Sequence, residues 1–500
     1  MDLEGFNIRP YRMKRLKSYC ERMSRDDCHV VFDDNVAAPL RLQGFSIEEA
    51  PRSIYKVEKL YEALGRYSPS NAPHVDYDQH VRAGIALAYA CFAKPKEAPF
   101  LEALPLTPQT IELVTSNNSG SAGLTNYGCS KAESKLRALE RGLQTVRGEK
   151  APEPCLAFKR TQFNDKTRLV WGYPYSMTVI EGLLAYPLNQ QFKGGNTPMA
   201  FAITSGALGT KLRVAAYHKK YAYSLDMSSF DSSLSGKLIH TAFDILKTWF
   251  DCSIVEPSSG KTYGEIFHLV EGYFIHTPIV MPNSKLYLGK KHGVPSGSYF
   301  TQMVDSVVNT IIGGAVSSRF SLNVSRREIF VLGDDLLMWT NRDMDLDTIA
   351  RYVTSTFGVK MHGAEKSKKF RFDEAVHYLG RDWPNGLPNL AQDEILKRMV
   401  YPERYRRYST DPKRREKEVK LLLLSYASVY WNAWSIVQKS IGSDRHNAQG
   451  SQFIEYSVYV GDGAAQVNAD HLSGLQRYLS KYAGHGADSL MTTVGTQYWL

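Results

Sequence analysis

Three aspartates stand where the chain could bring carboxylates together at the ends of strands. Asp226 ends a short run of alternating apolar and small residues, which is typical of a strand. Asp334 and Asp335 follow a glycine between two β-rich runs within residues 328–340, and this pattern predicts a hairpin with a two-residue turn. If the strands are neighbours, the carboxylates meet at one edge of a sheet. Mg²⁺ binds oxygen ligands in a tight octahedral geometry, so converging carboxylates on rigid elements would suit it.

The triplet Gly333-Asp334-Asp335 indicates little by itself. At an average usage of about 7% Gly and roughly 5% Asp, it arises on the order of 0.1 times by chance in a chain of this length, and Asp is common in turns. Its position between apolar runs strengthens the metal interpretation, because carboxylates at a buried hairpin tip are unfavourable without a cation. Two divalent cations held there could activate a 3′-hydroxyl and neutralise a triphosphate, which is the chemistry of nucleotidyl transfer.

The elements that must position these carboxylates can be predicted from the spacing of apolar residues. Residues 115–130 are rich in Ser, Asn and Gly, which favours a loop. Residues 1–70 are basic and mixed, so we expect them on the outside of the body. A subdomain boundary is expected near residue 390, where prolines and a glycine interrupt the pattern. Helices are predicted over 79–93, 131–147, 234–250 and 298–318, the last of them long, buried and preceded by the loop 293–297.

The composition is that of a globular protein with a basic surface. Five hundred residues, 43% hydrophobic and 22% charged, favour one body with subdomains over a disordered chain. Lys and Arg outnumber Asp and Glu by 61 to 51, giving a net charge of +10, which favours a polyanionic partner such as nucleic acid. The stretches 366–371 and 404–415 interleave basic and aromatic residues and could follow an RNA backbone, although the second could equally be a solvated face.

The cysteines and apolar stretches indicate the cellular compartment of the protein. Six single cysteines form no C-x-x-C pair and lie beside no His at zinc-site spacing, so we expect reduced thiols and no zinc. The N-terminus lacks the apolar region of a signal peptide. The apolar stretch 84–93 is shorter than the ~20 residues that a spanning helix needs. We therefore expect a soluble, intracellular protein that does not contact membranes.

Three groups of residues recur in a fixed order along the chain: Asp226 to Asp231, Ser296 to Thr301 with Asn309, and Gly333 to Asp335. They stand in the order of polymerase motifs A, B and C. On these groups the chain resembles the RNA-dependent RNA polymerases of RNA viruses. It is most similar to those of the partitiviruses, which have two double-stranded RNA segments, and next to those of picobirnaviruses. The resemblance extends from about residue 115 to 382.

Four further motifs extend the resemblance on both sides. Residues 115–123 look like the template-entrance motif G, and residues 166–170 look like motif F, whose basic residues cover the incoming triphosphate. Lys366 takes the motif D position of a general acid for pyrophosphate departure, and residues 377–381 look like motif E, which grips the primer strand. The RNA contacts implied are Ser121, Ala122, Gly123, Lys159, Arg160, Tyr378 and Arg381.

The resemblance implies an α+β fold, a right hand of fingers, palm and thumb whose antiparallel palm sheet is flanked by helices. The segments implied are 1–205 for the N-terminal region and fingers, 206–239 for the palm with motif A, 240–284 for a fingers insertion, 285–389 for the palm with motifs B to E, and 390–500 for the thumb and C-terminal region.

The resemblance also implies the roles of the site residues. Asp226 and Asp334 would hold two Mg²⁺ ions, with Mn²⁺ as a possible substitute, and Asp335 would lie in or beside the metal shell. Asp305 stands where many positive-strand RNA virus polymerases carry Asn. Because a carboxylate only accepts hydrogen bonds unless protonated, Asp305 and Asp231 could share a proton. The nucleotide contacts implied are Lys166, Arg168, Asp231, Ser296, Gly297, Thr301, Asp305 and Asn309.

The expected partners are template and product RNA, ribonucleoside triphosphates and a viral capsid protein, in the host cytoplasm and inside the virus particle. Three alternatives stay open. A reverse transcriptase would share the motif A and C carboxylates but usually lacks the Ser-Gly-x-x-x-Thr pattern of motif B and the glycine of motif C. A non-catalytic RNA-packaging relative would not need the intact aspartates. A nuclease could use the same metals.

Overall fold

The computed structural model describes residues 3–29, 31–48, 53–161, 167–402, 406–433 and 435–437. The helices of these residues are α1 Lys17–Met23, α2 Asp34–Leu42, α3 Val57–Gly65, α4 Gln79–Phe92, α5 Pro108–Val114, α6 Lys131–Val146, α7 Tyr175–Phe192, α8 Ser205–Ala216, α9 Phe230–Ser233, α10 Gly236–Lys247, α11 Tyr263–Ile275, α12 Thr301–Arg319, α13 Leu346–Phe357, α14 Gln392–Val400 and α15 Pro412–Val429. The strands are β1 Asn7–Pro10, β2 Asp27–His29, β3 Ser53–Tyr55, β4 Cys155–Thr161, β5 Thr167–Gly172, β6 Tyr221–Leu225, β7 Met227–Ser228, β8 Ile279–Val280, β9 Lys285–Leu288, β10 Ile329–Leu332, β11 Asp335–Thr340, β12 Lys360–Met361, β13 Lys368–Arg371, β14 Val376–Tyr378 and β15 Arg381–Trp383.

A four-stranded antiparallel sheet has the strand order β10-β11-β6-β13 and is called the central sheet. Both faces of β10 and β11 are buried, which explains why their sequences are apolar without alternation. Val331 and Met338 face the main core, whereas Phe330 and Trp339 face a second apolar cluster beside β14 and β15. The strand predicted over 221–226 and the hairpin predicted over 328–340 are confirmed as β6 and as β10 with β11.

A second sheet, in the order β1-β9-β8-β4-β5, joins distant parts of the chain. Its strands are antiparallel except for the β4–β8 pair. The N-terminal strand β1 pairs with β9, and Tyr19 and Leu60 are fully buried in the main core. The prediction that residues 1–70 lie outside the body is therefore wrong. The many basic residues of this stretch obscured the apolar residues that recur at helical spacing in α1 and α3.

The long buried helix predicted over 298–318 is confirmed as α12, which packs closely against α4. Two glycines permit this approach: a Cβ atom on Gly84 would lie 2.1 Å from the carbonyl oxygen of Ile311, and one on Gly314 would lie 2.8 Å from the Cα atom of Gly84. The backbones are thus in direct contact, which fixes α12 beside the central sheet. The predicted helices over 79–93, 131–147 and 234–250 are also confirmed, as α4, α6 and α10. None of the described helices combines the length and the apolar character needed to cross a membrane.

The C-terminal helices form a separate apolar cluster together with α2 from the N-terminal region. A buried ion pair holds α2 in place, since Arg406 donates to Asp33 at 2.9 Å and both side chains are almost completely buried. Arg406 also donates to the Met399 carbonyl and to the Tyr426 hydroxyl, and the Tyr408 hydroxyl donates to Asp33. The ion pair therefore has the additional hydrogen bonds that a buried pair requires.

We expect Arg406→Met to lower the free energy of unfolding by about 3–5 kcal/mol, because it leaves the Asp33 carboxylate buried without its cation. The matched control is Arg414→Met, which removes an exposed, 3.5 Å ion pair with Glu418 on α15 and should cost about 1 kcal/mol or less. Denaturant unfolding of both variants measures the difference. Equal losses in the two variants would contradict the structural role given to the buried pair.

Candidate active site

Asp226 and the Asp334-Asp335 pair lie side by side at one end of the central sheet. Leu225 pairs with Leu336 across β6 and β11, so the next step of the antiparallel register sets Asp226 opposite Asp335. Neighbouring strands lie about 5 Å apart, which brings these backbones into direct proximity. The hairpin turn consists of Gly333 and Asp334, and Gly333 has φ +62°, a left-handed conformation that glycine adopts without steric cost. The predicted convergence of carboxylates from two separate stretches is confirmed.

Helix α12 holds the hairpin turn through two hydrogen bonds to Gly333. The amide of Asn309 donates to the Gly333 carbonyl at 2.9 Å, and the Gly333 N–H donates to the Ser306 hydroxyl at 3.1 Å. Asn309 is fully buried, so the expectation that it contacts a nucleotide is wrong, and its role is to position the turn. Ser306 is not among the motif residues predicted from the sequence. Only its hydrogen bond to Gly333 in the folded protein identifies its role.

The carboxylates of the turn interact electrostatically with one another. Burial, followed by the charges of Asp334 and Asp226, raises the pKa of Asp335 to about 7. Burial raises the pKa of Asp334 as well, with Asp226 adding to the rise and Arg168 opposing it. Both turn aspartates are nevertheless accessible to solvent. A side chain that is accessible and yet desolvated by surrounding protein lies in an open recess, which is where a ligand can reach it.

Asp231 and Asp305 add two more acidic groups beside the turn. Burial, with a contribution from Asp334, raises the pKa of Asp231 to about 6, while Arg168 opposes the rise. Burial and then the charges of Asp231 and Asp334 raise the pKa of Asp305 well above its usual range. Oδ1 of Asp305 has no hydrogen-bond partner among the described residues. The two groups are thus close enough to interact, as the suggestion of a shared proton requires.

The motif B loop, residues 293–300, rests on strand β5. The Trp171 N–H donates to the Ser296 hydroxyl at 3.2 Å. A Cβ atom on Gly297 would lie 2.1 Å from the Trp171 carbonyl oxygen, so only glycine fits there. The Thr301 hydroxyl donates to the Pro295 carbonyl and closes the loop. Ser296 and Gly297 are exposed, whereas Thr301 is partly buried.

The loop that follows β12 holds the backbone of Asp226 through two hydrogen bonds. The Asp226 N–H donates to the Ser367 hydroxyl at 3.0 Å, and the His362 N–H donates to the Asp226 carbonyl at 2.9 Å. The His362 ring links two predicted site residues, because its Nε2 lies 3.6 Å from Asp226 Oδ1 and 3.3 Å from Lys366 Nζ. Lys366 is exposed, as a proton donor to a departing group must be. Neither His362 nor Ser367 was predicted.

Arg168 of motif F and the expected RNA contacts Lys159 and Arg160 lie on the adjacent strands β5 and β4. Arg168 on β5 is exposed, and its charge opposes the rise in the pKa values of Asp231 and Asp334. It therefore lies near the recess formed by Asp226, Asp231, Asp334 and Asp335, which is called the acidic recess. Lys166 lies outside the described residues. Lys159 on β4 donates to Asp27 at 3.4 Å and lies 3.9 Å above the Tyr55 ring, and Arg160 pairs with Arg168 in the β4–β5 register.

Several of the RNA contacts expected in motifs G and E are buried. Among the three expected in motif G, Ser121 is exposed, whereas Ala122 accepts the Tyr175 N–H and Gly123 lies against the Tyr173 backbone. The expected RNA contacts of Ala122 and Gly123 are therefore wrong as direct contacts.

Tyr378 and Arg381 of motif E are likewise almost fully buried. Tyr378 packs on Phe330 of the central sheet, and Arg381 lies between the rings of Trp383 and Tyr430. Their predicted contacts with RNA are wrong as well. The two residues instead join the central sheet to the C-terminal helices. The prediction failed because a resemblance assigns a residue to a motif but does not show whether the residue is exposed.

The acidic recess has the donor chemistry of a divalent-cation site. Its acceptors are carboxylate oxygens, which Mg²⁺ and Mn²⁺ prefer. Burial and neighbouring carboxylates raise the pKa values of Asp334 and Asp335, so negative charge is concentrated there, and a cation would relieve it. The residues therefore fit a divalent cation by chemistry and charge. Within the described ranges, no group of three or more His, Cys, Asp or Glu side chains is already spaced to hold a metal ion.

Residues 163–434, more than half of the chain, match the family described as "Viral RNA-dependent RNA polymerase". The RNA-directed RNA polymerase of Cryptosporidium parvum virus 1 (strain KSU-1) is 27% identical over 287 residues, which cover 52% of this chain and 52% of that protein. The RNA-directed RNA polymerase of Atkinsonella hypoxylon virus (isolate 2H) is 23% identical over 46% of this chain and 37% of that protein. The matched region thus spans about half or less of each curated relative.

Solved structures show the same architecture over most of the chain. The RNA-dependent RNA polymerase of a human picobirnavirus has a TM-score of 0.65 at 14% identity, covering 93% of this chain and 97% of that one. The Sicinivirus RNA-dependent RNA polymerase has a TM-score of 0.61 at 14% identity, covering 87% and 96%. At this identity the likeness shows a shared fold, and it confirms the predicted α+β right hand with an antiparallel palm sheet.

We expect Asp231 to make the stability of the protein depend on pH. Its pKa is raised in the fold to about 6, so it favours folding most below its unfolded pKa of about 3.9 and loses this contribution as pH rises through 6. Asp231→Asn should remove a fall on the order of 2 kcal/mol in the free energy of unfolding between pH 4 and 7.5. Denaturant unfolding in a chelator measures it, and an identical pH slope in both proteins would refute the assignment.

Proposed function

Because this chain belongs to the viral RNA-dependent RNA polymerase family, we propose that it synthesises RNA on an RNA template from ribonucleoside triphosphates by two-metal nucleotidyl transfer. The observation that carries the proposal is the register of β6 and β11, which sets Asp226 opposite Asp335 beside the turn aspartate Asp334. A nucleotidyl transferase needs carboxylates brought together from two non-consecutive segments, and packing alone disfavours such a group. Burial, followed by the charges of Asp334 and Asp226, raises the pKa of Asp335.

Asp226, Asp334 and Asp335 would hold two Mg²⁺ ions, or Mn²⁺ in their place, which when bound activate the attacking 3′-hydroxyl and neutralise the triphosphate. Arg168 faces the same recess and would pair with the triphosphate through charge-assisted bonds. Lys166, outside the described residues, is proposed for the same role on resemblance alone. Ser306 and Asn309 would act indirectly, because their hydrogen bonds hold the turn that carries Asp334.

Selection of ribose is proposed for Asp231 and Asp305, with Ser296 and Gly297 forming the loop beside them. A ribose 2′-hydroxyl both donates and accepts hydrogen bonds, so it can bond to a carboxylate or to a protonated carboxyl. The unpartnered Oδ1 of the buried Asp305 and the raised pKa of Asp231 favour a pair in which one group keeps its proton. Thr301 contributes by closing the loop against Pro295.

Proton transfer to the departing pyrophosphate is proposed for Lys366. The ammonium group of Lys366 lies 3.3 Å from the His362 ring, and the ring lies 3.6 Å from Asp226. His362 would therefore keep Lys366 directed toward the acidic recess. The exposed position of Lys366 leaves it free to reach a phosphate oxygen.

The template and product are proposed to be the strands of a viral double-stranded RNA genome, as the partitivirus likeness implies. RNA contacts are proposed for the exposed Ser121 and Arg160 and for the partly buried Lys159, which lie on the template-entrance loop and on β4. The capsid protein as a partner, and a site of action in the host cytoplasm and within the virus particle, are proposed on the family likeness. The segment boundaries predicted from the sequence stay proposals as well.

The decisive assay is template-directed incorporation of labelled ribonucleotides with Mg²⁺ or Mn²⁺. We expect Asp334→Ala to reduce synthesis to background while RNA affinity stays within about threefold of the wild type, because the carboxylate serves the metals and phosphate contacts supply most RNA affinity. Asp343→Ala, which removes an exposed carboxylate paired with Lys369, is the matched control.

The same assay distinguishes the alternatives. Preferred incorporation of deoxynucleotides on an RNA template would indicate a reverse transcriptase. Shortening of labelled RNA without nucleoside triphosphates would indicate a nuclease. RNA binding without any metal-dependent incorporation by the wild type would overturn the proposal in favour of a packaging protein.

Lys366→Leu should slow nucleotide addition on the order of 10²-fold with a smaller change in nucleotide affinity, because general acid catalysis typically contributes that much. Lys366→Arg keeps the charge but has too high a pKa to give up its proton, so it should remain slow. Rapid-quench measurement of single-nucleotide addition separates rate from affinity. Full recovery of the rate in the arginine variant would show that Lys366 supplies charge and not a proton.

A further inference from the structure

The carboxylate of Glu181 is fully buried in the middle of α7, yet the proposed mechanism gives it no chemistry. Burial raises its pKa to about 7 against the opposing effect of hydrogen bonds, of which those from Ser298 and Tyr299 are the largest. Those bonds come from the motif B loop: the Ser298 hydroxyl and the Tyr299 N–H both donate to the oxygen Oε2 at 2.8 Å. A carboxylate in this position costs free energy that an apolar side chain would not, so its contacts need an explanation.

The loop that Glu181 holds is also bonded to two other parts of the fold. The Tyr299 hydroxyl donates to the carbonyl of Val114, at the end of α5 and next to the template-entrance loop. The other end of the loop is held by Lys290, a buried lysine whose ammonium group donates to the Gly293 carbonyl at 2.6 Å. Two buried charged side chains therefore fix the two ends of one short loop.

Between these anchors the loop carries Ser296 and Gly297 to the surface beside the acidic recess. Ser296 accepts the N–H of Trp171, three residues after Arg168 on the same strand. A displacement of the loop would shift its exposed residues relative to the recess, and a misplacement on the order of 1 Å is enough to impair a reaction site. The contacts that anchor the loop therefore also determine where Ser296 and Gly297 lie at the proposed nucleotide site.

We propose that Glu181 is a positioning residue for nucleotide binding, which fixes the motif B loop through the two hydrogen bonds that its Oε2 accepts from Ser298 and Tyr299. Its consequence for catalysis rests on the proposed polymerase function, whereas its effect on the loop does not. Because both bonds converge on one oxygen, a glutamine can place its carbonyl oxygen at the same point and keep them. A methionine of similar size cannot accept either bond.

The first test is hydrogen exchange of the amides in residues 296–300. We expect Glu181→Met to accelerate their exchange about tenfold or more, since the buried Tyr299 N–H loses its acceptor. Glu181→Gln should stay within about threefold of the wild type. The matched control is Tyr175→Phe, which removes a contact between α7 and the Thr115 hydroxyl and should leave these amides unchanged.

Unaltered exchange in Glu181→Met would overturn the proposal, and so would equal acceleration in the methionine and glutamine variants. If the methionine variant does not fold, Ser298→Ala takes its place. That substitution removes one of the two donors and should give a smaller acceleration in the same amides. No acceleration there would also overturn the proposal.

The second test is single-nucleotide addition as a function of nucleotide concentration. Glu181→Met should raise the concentration for half-maximal rate about tenfold with a smaller effect on the maximal rate, and Glu181→Gln should restore it. A loss confined to the maximal rate would contradict a role in nucleotide positioning. If the wild type incorporates no nucleotide, the polymerase proposal fails, while the exchange experiment still decides whether Glu181 holds the loop.

Discussion

The pairing of β6 with β11 is the constraint on which the rest of the structure depends, because it forces like charges together. Asp226 and Asp335 face each other across the register, and the turn that joins β10 to β11 adds Asp334. Such a group of carboxylates opposes folding unless other interactions hold it. Those interactions come from behind the sheet, where α12 binds the turn through Ser306 and Asn309. The close backbone contact between α12 and α4 in turn fixes α12.

The surroundings of the acidic recess consist of loops that are each tied to a different neighbour. The motif B loop rests on β5 and on Glu181, while the loop after β12 clasps Asp226 through Ser367 and His362. Each tie uses a backbone N–H or carbonyl on at least one side, so the loops are fixed in position without fixing the exposed side chains. This arrangement suits a site that must admit nucleotides and RNA of any sequence while keeping its carboxylates in place.

Local patterns in the sequence were sufficient for the elements that carry the carboxylates. The hairpin around Gly333 and the strand before Asp226 depend on turn chemistry and apolar runs, which lie within a few residues of one another. Contacts between distant residues could not be predicted in this way. The burial of Tyr19 and Leu60, the hydrogen bond from Asn309 to the turn and the bonds of Glu181 depend on which segments meet in the fold. The resemblance identified Tyr378 and Arg381 by motif, but it could not show that the fold would bury them.

The ion pair between Asp33 and Arg406 has a consequence for how the chain is made, because its partners are 373 positions apart. At a ribosomal rate of about 5–20 residues per second, the N-terminal partner emerges roughly 20–75 seconds before the C-terminal one. During that interval the apolar side of α2, with Val36 and Leu40, has no surface to bury against. Completion of this cluster must therefore await the synthesis of the helices around Arg406, so an N-terminal stretch of the nascent chain is exposed to chaperones and to aggregation until these helices emerge.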